Sequence, residues 1–249
     1  MVPMANAEVL RAATFNIKHG ALADGYLGRP KLLHDACAQL NVDILALQEV
    51  DRFVWRSGFR DLAKLAAKAT GMQAYFEKTM HDQGGQYGNA LLVQGELYDI
   101  DIIRLQPDNK STVIFGRRLN YAREPRNALI GIAKINDTEI SVAATHFAGT
   151  KEQRQGQFSA TLGALACYPP PRLLLGDLNT RYEELQAWDM PTSMKFAVND
   201  STLTNPSPVP TRQIDHIAVD GLQIVTAYTK LPPVSDHLAL IAELSMSPA

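Results

Sequence analysis

Apolar, strand-length runs in this chain of 249 residues repeatedly end, or begin, at a polar residue that could bind a metal ion, carry a proton or hold a phosphate. These boundary residues are Asn16, Gln48 with Glu49, His146, Asp177 with Asn179, Asp215, and the Ser235-Asp236-His237 turn. Taken singly, such a residue is more often a turn former, a helix cap or a buried histidine. Chance seldom places the whole set at run boundaries, so we predict that they meet in one site.

Alternation along a strand refines this set, because side chains at i and i+2 share a face while those at i and i+1 do not. Asp177 and Asn179 are therefore expected to point the same way. If Asp215 faces the site, His216 faces away from it and is structural. Glu49 is a better ligand for a hard cation such as Mg²⁺ than the amide of Gln48. His19, His34 and His81 follow no apolar run and are expected to take no part.

The elements that must position these residues are short apolar runs, with a few amphipathic segments between them. The predicted strands are Leu10–Ile17, Asp43–Leu47, Asn89–Val93, Ile100–Leu105, Ala128–Lys134, Glu139–Thr145, Arg172–Leu175, Ile217–Val219 and Leu238–Leu244. The predicted helices are Lys31–Leu40, Phe59–Ala69 and Glu152–Ala166, and two long loops are expected at Gln106–Tyr121 and Thr192–Gln213.

So many strands with so few helices favour two packed sheets flanked by helices over a doubly wound sheet. No composition break or internal repeat divides the chain. We therefore expect an α/β (α+β) fold in one domain, residues 1–249, with a core from about residue 10 to residue 245.

Composition narrows the functional class. The formal net charge is −2, with 46% hydrophobic and 20% charged residues, which excludes a polybasic nucleic-acid binder.

Cys37 and Cys167 have no metal-binding spacing, so a zinc module or disulfide scaffold is excluded and reduced, buried thiols are expected. The start lacks a basic segment followed by an apolar one, and no apolar run reaches 18 residues. We expect a soluble, cytoplasmic monomer without a stable membrane anchor.

Several motifs carry a resemblance to a known family. They are Thr14-Phe15-Asn16-Ile17, Leu47-Gln48-Glu49-Val50, Tyr87-Gly88-Asn89-Ala90, Thr145-His146, Gly176-Asp177-Leu178-Asn179, Ile214-Asp215-His216 and Ser235-Asp236-His237. In order and spacing, over residues 11–244, this succession resembles the endonuclease/exonuclease/phosphatase (DNase I-like) superfamily. The resemblance implies a four-layer α/β/β/α sandwich of mainly antiparallel sheets, and hydrolysis of a phosphate ester with Mg²⁺ or Mn²⁺ as cofactor.

The resemblance also implies roles for individual residues. Glu49 is similar to the family's principal metal ligand, with Asn16 beside it to hold a phosphate oxygen or the metal's water shell, and Asp236 near the metal. Asp177 resembles the acid that activates water or helps to hold metal. Asn179 resembles the amide that orients the phosphate.

Asp215 is similar to the carboxylate that orients a histidine, which here is His237. His146 corresponds to the second histidine of the nuclease and sphingomyelinase branches. The stretch from Arg123 to Arg126 resembles one that contains a phosphate-contacting arginine, and the spacing leaves open which of the two arginines is equivalent.

The chemistry agrees with these roles, because hydrolysis of an anionic phosphodiester needs a cation, a positioned base and a proton donor for the leaving oxygen. The expected activity is that of a phosphodiesterase or nuclease-like hydrolase acting by in-line water attack. Alternatives are a phosphatase, a phosphodiesterase of lipid or phosphoinositide headgroups, and a catalytically silent binding module. Arg104 to Arg126 contains more basic than acidic residues. That segment either cradles a polyanion such as nucleic acid or is a solvated loop.

Overall fold

The computed structural model describes residues 9–105, 111–114, 117–120 and 124–246. Its strands are β1 (Leu10–Asn16), β2 (Ile44–Arg52), β3 (Gln73–Asp82), β4 (Gly85–Val93), β5 (Glu96–Leu105), β6 (Ser111–Ile114), β7 (Arg117–Asn120), β8 (Arg126–Ile135), β9 (Thr138–His146), β10 (Arg172–Asp177), β11 (Lys195–Phe196), β12 (Asp215–Asp220), β13 (Leu222–Lys230) and β14 (Ala239–Met246). Its α-helices are α1 (Pro30–Leu40), α2 (Leu62–Thr70), α3 (Lys151–Leu165) and α4 (Tyr182–Leu185).

Twelve of these strands form two six-stranded sheets. The order is β13-β14-β1-β2-β4-β3 in the first sheet and β11-β12-β10-β9-β8-β5 in the second, while β6 and β7 pair with each other. Neighbours are antiparallel except for one parallel pair in each sheet, β1 with β2 and β9 with β10. The predicted arrangement of two mainly antiparallel sheets is therefore confirmed.

Three apolar clusters separate the four layers, and alternation along single strands assigns side chains to them. Ala12 of β1 packs between the two sheets, whereas its neighbour Ala13 packs under α1 and α2. In the second sheet, Leu173 of β10 faces the other sheet and Leu174 packs against α3. Strands buried on both faces are apolar at successive positions, which explains the continuous runs in the sequence.

Several elements differ from the sequence prediction. β6 and β7 lie in the stretch expected to be a loop at Gln106–Tyr121, and β11 lies in the one expected at Thr192–Gln213. The strands β3 and β13 were missed because they are sheet edges whose side chains are mostly half-buried or exposed, so they lack an apolar run. The four-residue helix α4 is too short to show helical periodicity.

The two cysteines also differ from each other. Cys37 is buried on α1, as expected, but the expectation was wrong for Cys167, which is exposed just after α3. Its chain position explains this, because the Cys167 Sγ donates to the carbonyl of Gly163 at the helix end, 3.5 Å away, where no layer covers it. Along the described residues, no helix has the length and apolarity needed to span a bilayer.

Candidate functional site

The predicted site residues gather at one edge of the sandwich because strand direction places them there. In the second sheet, Asp177 at the end of β10 pairs with His146 at the end of parallel β9, and with Asp215 at the start of antiparallel β12. In the first sheet, β1 ends at Asn16 beside parallel β2. The ends of the two sheets face each other, so side chains from both converge.

Asp177 lies at the centre of this convergence and is almost fully buried. Its Oδ2 is 3.0 Å from the Asn16 Nδ2, 3.5 Å from the His146 Nε2 and 3.9 Å from the His237 Nε2. Its Oδ1 accepts a hydrogen bond from the Asn179 backbone N–H, at 2.8 Å. Burial, and after it the charge of Asp215, raise the pKa of Asp177 to about 7. This carboxyl group therefore holds a proton more readily than an exposed aspartate does.

Asn16 links the two sheets through its amide. The same Nδ2 that donates to Asp177 also donates to the Glu49 Oε1, at 3.1 Å. Glu49 lies where the register between β2 and β4 shifts, and its φ of 58° is in the left-handed region. The bulge interrupts strict alternation and leaves Glu49 half-buried while Gln48 is fully buried. The irregular backbone thus places the carboxylate next to Asn16.

His237 is held by an acid. Its Nδ1 donates to the Asp215 Oδ2 at 2.8 Å, and both side chains are buried. Burial by itself would lower the pKa of His237, but the charge and the hydrogen bond of Asp215 outweigh it and raise the pKa to about 10. His237 is therefore an imidazolium at neutral pH, with its Nε2–H directed toward Asp177.

His146 is held by a cationic side chain, that of Arg126. The Arg126 Nη1 lies 2.8 Å from the His146 Nδ1, and Arg126 also forms an ion pair with Glu124, at 2.9 Å. A guanidinium only donates, so the His146 Nδ1 is an acceptor and its proton resides on Nε2. Burial, reinforced by the charges of Arg126 and His237, lowers the pKa of His146 well below 6.5. His146 is thus a neutral N–H donor facing Asp177.

Asp236 and Asn179 lie at the rim of the site. The side chain of Asp236 is 40% exposed, and its Oδ2 is 3.7 Å from the Lys18 Nζ. The preceding Ser235 holds this turn in place, because its Oγ donates to the Asn16 backbone carbonyl at 2.6 Å. The Asn179 Nδ2 donates to the Phe147 carbonyl at 3.0 Å and lies 3.2 Å from the His146 Nε2.

The donor chemistry of the site fits a hard divalent cation. Among the described residues, one group of His, Cys, Asp or Glu side chains has donor atoms all within 4.8 Å of one another, namely Asp177, Asp215 and His237. The Asp215 Oδ1 is buried without a hydrogen-bond partner. Two repelling buried carboxylates and an unpaired oxygen leave negative charge that a cation would compensate, and the half-buried Glu49, joined to Asp177 through the Asn16 amide, is the solvent-open carboxylate beside them. His237, protonated and bonded to Asp215, leaves oxygen atoms as the available ligands.

A model of the Endonuclease/Exonuclease/phosphatase family matches residues 13–237. The chain belongs to this family. Its members generally hydrolyse phosphate esters and typically use divalent metal ions. No curated protein matches the chain.

Solved structures with the same fold include other endonuclease/exonuclease/phosphatase proteins. One from Beutenbergia cavernae has a TM-score of 0.70 at 18% identity, covering 97% of this chain and 72% of its own. A functionally unknown conserved protein from Enterococcus faecalis has a TM-score of 0.70 at 21% identity, covering 96% and 100%. Truncated TDP2 from Caenorhabditis elegans has a TM-score of 0.67 at 22% identity, covering 95% and 97%. At these identities the likeness shows the fold.

Some residues named from the sequence stand apart from the centre of this endonuclease/exonuclease/phosphatase site. Arg123 lies outside the described residues. His216 is buried, and its Nε2 lies 2.7 Å from the Thr180 carbonyl, consistent with the predicted structural role. The Asn89 Nδ2 donates to the Asn127 Oδ1 at 2.9 Å, linking the two sheets below the site. Asn89 thus supports the site's framework.

Sequence reasoning missed one part of the site in this family member, the chain of contacts behind His146. Glu124, to which sequence reasoning gave no role, accepts a hydrogen bond at 3.1 Å from the guanidinium that bonds to His146. Glu124 and Arg126 are two residues apart, a spacing that places side chains on one face of extended chain. That spacing was the available signal, although the partner His146 comes from the neighbouring strand.

Proposed function

We infer that this protein is a divalent-metal-dependent phosphoric ester hydrolase that cleaves phosphodiesters by in-line attack of water. The observation that carries the proposal is the convergence of Asn16, His146 and His237 on one carboxylate oxygen of Asp177. An acceptor surrounded by N–H donors suits the activation of water next to an anion whose charge those donors neutralise.

Glu49 and Asp236, with Asn16, would hold the Mg²⁺ or Mn²⁺ ion. The ion would supply positive charge against the phosphate oxygens. Asn16 keeps the Glu49 and Asp177 carboxylates in a fixed relation, since its Nδ2 donates to both. The half-buried position of Glu49 leaves it open to solvent and therefore to a hydrated ion.

The remaining residues would act on the water and the phosphate. Asp177, with its raised pKa, is matched to accept a proton from water near neutral pH. His237 would donate from Nε2 to a phosphate oxygen or to the leaving oxygen, while Asp215 keeps its ring oriented. His146 and Asn179 would orient the phosphate by donating N–H groups, and Arg123 or Arg126 would provide further positive charge.

A diester is favoured over a monoester by the charge balance. Besides the metal and Arg126, whose charge Glu124 partly compensates, the described histidines provide one cation, His237, because His146 is neutral. A diester has a single negative charge, whereas a monoester has nearly two at neutral pH. A phosphatase or a headgroup phosphodiesterase remains the second candidate, and it would show as preferred turnover of those substrates.

The test is hydrolysis of a generic aryl phosphodiester with Mg²⁺ or Mn²⁺, extended to plasmid DNA, single-stranded RNA, phosphoinositides and phosphomonoesters. We expect metal-dependent turnover that Glu49→Ala, Asp177→Ala and His237→Ala each abolish without unfolding the protein. His34→Ala is the matched control, since His34 lies on the outer face of α1 and bonds to Asp35. Wild-type rates in all three variants would contradict the mechanism.

A catalytically silent binding module is the alternative from another class. Calorimetry would distinguish it, because an enzyme of the proposed type binds Mg²⁺ or Mn²⁺ and loses heat of binding in Glu49→Ala. If neither metal binds and no aryl diester is hydrolysed, the binding module is the correct description.

A further inference from the structure

Exposed aromatic side chains are concentrated in one region. In the described part of the chain, the most exposed aromatic residues are Tyr26, Phe53, Trp55 and Phe59, with between 48% and 67% of each residue exposed. They lie on two loops, residues 21–28 and residues 53–60, which we call the aromatic loops. Contiguous apolar surface on a protein generally marks a place where something binds.

The aromatic loops follow the strands that carry Asn16 and Glu49, the first of them after a short 3-10 turn at Lys18–Gly20. Residues 21–28 follow β1, and the Ala21 carbonyl accepts a hydrogen bond at 2.7 Å from the backbone N–H of Ser235, next to Asp236. Residues 53–60 follow β2, and the loop closes on itself through the Phe53 N–H and the Arg60 carbonyl, 2.9 Å apart. Both loops therefore border the candidate site.

The two loops are fixed to each other. The Gly28 N–H donates to the Arg56 carbonyl at 2.8 Å, and a Cβ at Gly28 would lie only 2.8 Å from the His19 carbonyl. The Tyr26 and Trp55 ring centroids are 6.1 Å apart. The Tyr26 hydroxyl accepts from the Gln83 Nε2 at 2.7 Å. This close packing holds the pair of rings in place at the surface.

The charge of Arg56, in the second aromatic loop, is balanced. The Arg56 guanidinium lies 5.9 Å from the Tyr26 ring, and it bonds to Asp51 at 2.7 and 2.8 Å and to Asp82 at 3.0 Å. Its charge is thus already compensated by two acids. The surface is therefore suited to a neutral, planar group, while the anionic part of the same ligand would lie at the neighbouring site.

A ligand with a phosphodiester and a flat aromatic group beside it is a nucleotide unit. We propose that Tyr26 and Trp55 form a stacking platform for the bases of a single-stranded nucleic acid whose phosphate is cleaved at the Asp177 site. Aromatic side chains stack on any base, and in a duplex the base faces are occupied by their neighbours. This inference rests on the proposed phosphodiesterase function and specifies its substrate class.

Trp55 gives a direct test, because the chain has two tryptophans and Trp188 is buried against Phe158. Wild-type protein in EDTA, which prevents hydrolysis, is titrated with an oligothymidylate of about ten nucleotides while tryptophan fluorescence is recorded. We expect saturable quenching that is absent in Trp55→Phe, in which the Trp188 signal remains. No quenching by the oligonucleotide overturns the platform, and so does equal quenching by a duplex of the same length.

Affinity provides the second measurement. Trp55→Ala and Tyr26→Ala should each weaken binding of a fluorescein-labelled oligothymidylate, followed by anisotropy in EDTA, by about fivefold to a hundredfold. Leu231→Ala is the control, since Leu231 is also exposed but lies outside the aromatic loops. Equal affinity in wild type, Trp55→Ala and Tyr26→Ala overturns the proposal. Circular dichroism confirms that each variant is folded.

The platform and the proposed function fail in different ways. Hydrolysis of the aryl diester without any quenching of Trp55 would leave the function standing and remove the platform. Quenching without hydrolysis of any ester would support the platform and remove the function.

A titration of the wild-type protein with phosphatidylcholine/phosphatidylserine vesicles, again followed by tryptophan fluorescence, is the third measurement. A Trp55 blue shift with vesicles, and none of the quenching with oligonucleotide, would identify a membrane contact and overturn the proposal.

Discussion

His146 and His237 approach the same oxygen of Asp177 from two sides, but their far nitrogens have partners of opposite charge. The His237 Nδ1 donates to the carboxylate of Asp215, whereas the His146 Nδ1 accepts from the guanidinium of Arg126. Both rings are buried, and burial by itself lowers the pKa of each. In His146 the charge of Arg126 adds to the effect of burial, whereas in His237 the charge and the hydrogen bond of Asp215 outweigh it and raise the pKa.

This difference shows how one residue type can provide two functions in a single site. A protonated His237 can give up a proton, and its positive charge would neutralise the negative charge of a bound phosphate. A neutral His146 with its proton on Nε2 can only orient a ligand by donating a hydrogen bond at neutral pH. The pair is therefore expected to respond differently to loss of the shared acceptor and to loss of each partner.

Removing the shared acceptor should have the largest effect. Asp177→Asn keeps the shape of the side chain but loses the carboxylate on which both histidines converge, so we expect turnover of the aryl diester to fall by about a thousandfold or more. Steady-state kinetics would measure it, with thermal unfolding to confirm a folded protein. Turnover within tenfold of wild type would remove Asp177 from the mechanism.

Removing Asp215, the acidic partner of His237, should have the second largest effect on turnover. Asp215→Asn takes away the charge that keeps His237 protonated, so kcat should fall by about a hundredfold and the pKa of His237 should drop from about 10. Wild-type His237 is protonated below that pKa and loses its proton as the pH rises through it. The alkaline limb of the rate profile should therefore move to lower pH in the variant. NMR titration of His237 checks the cause, and an unchanged limb would contradict it.

Removing Arg126, the cationic partner of His146, should have a smaller effect on turnover. Arg126→Met loses the N–H donor that fixes the proton of His146 on Nε2, so we expect about a tenfold loss of turnover, with Arg126→Lys closer to wild type because lysine still donates. Long-range ¹H–¹⁵N spectra distinguish the tautomers of His146. His216 is the internal reference, because its Nε2 faces a carbonyl, and its spectrum should not change.

A third buried histidine sharpens the comparison, since it should affect stability and leave turnover almost unchanged. Burial lowers the pKa of His216 to about 4. Its pKa is lower in the folded than in the unfolded chain, so its contribution is fully present above pH 6.5 and is lost as the pH falls toward 4. We expect roughly 3 kcal/mol of unfolding free energy to be lost over this range. Urea unfolding would measure it, and His216→Gln should flatten the dependence.

Much of the fold and the site could be predicted from the sequence. Buried strands such as β10 appear as apolar runs, and the polar residue after each run marks the edge where strands from both sheets end. Alternation alone separated Asp215 from His216. The edge strands β3 and β13 could not be found in this way, because water covers one face and no continuous apolar run is needed.

The pairing of Arg126 with His146 could not be predicted either, because it depends on the register of two adjacent strands. β8 and β9 pair Ala128 with Thr145, so Asn127 and His146 come next to each other at the sheet edge, and Arg126 reaches the His146 ring from the first position of β8. A shift of one residue in this register would take Arg126 away from His146. The sequence contains the residues but not this register, so it left open whether Arg126 contacts the phosphate.

The bulge at Glu49 has a consequence for how the protein could be handled in the laboratory. A glutamate with a φ of 58° keeps its backbone in a region that glycine occupies without strain. Glycine at this position would therefore remove the carboxylate and relieve the backbone together. With Glu49 in its proposed role as a metal ligand, we expect Glu49→Gly to be inactive and yet more stable than Glu49→Ala. Such a form is suited to holding an intact substrate long enough for it to be seen.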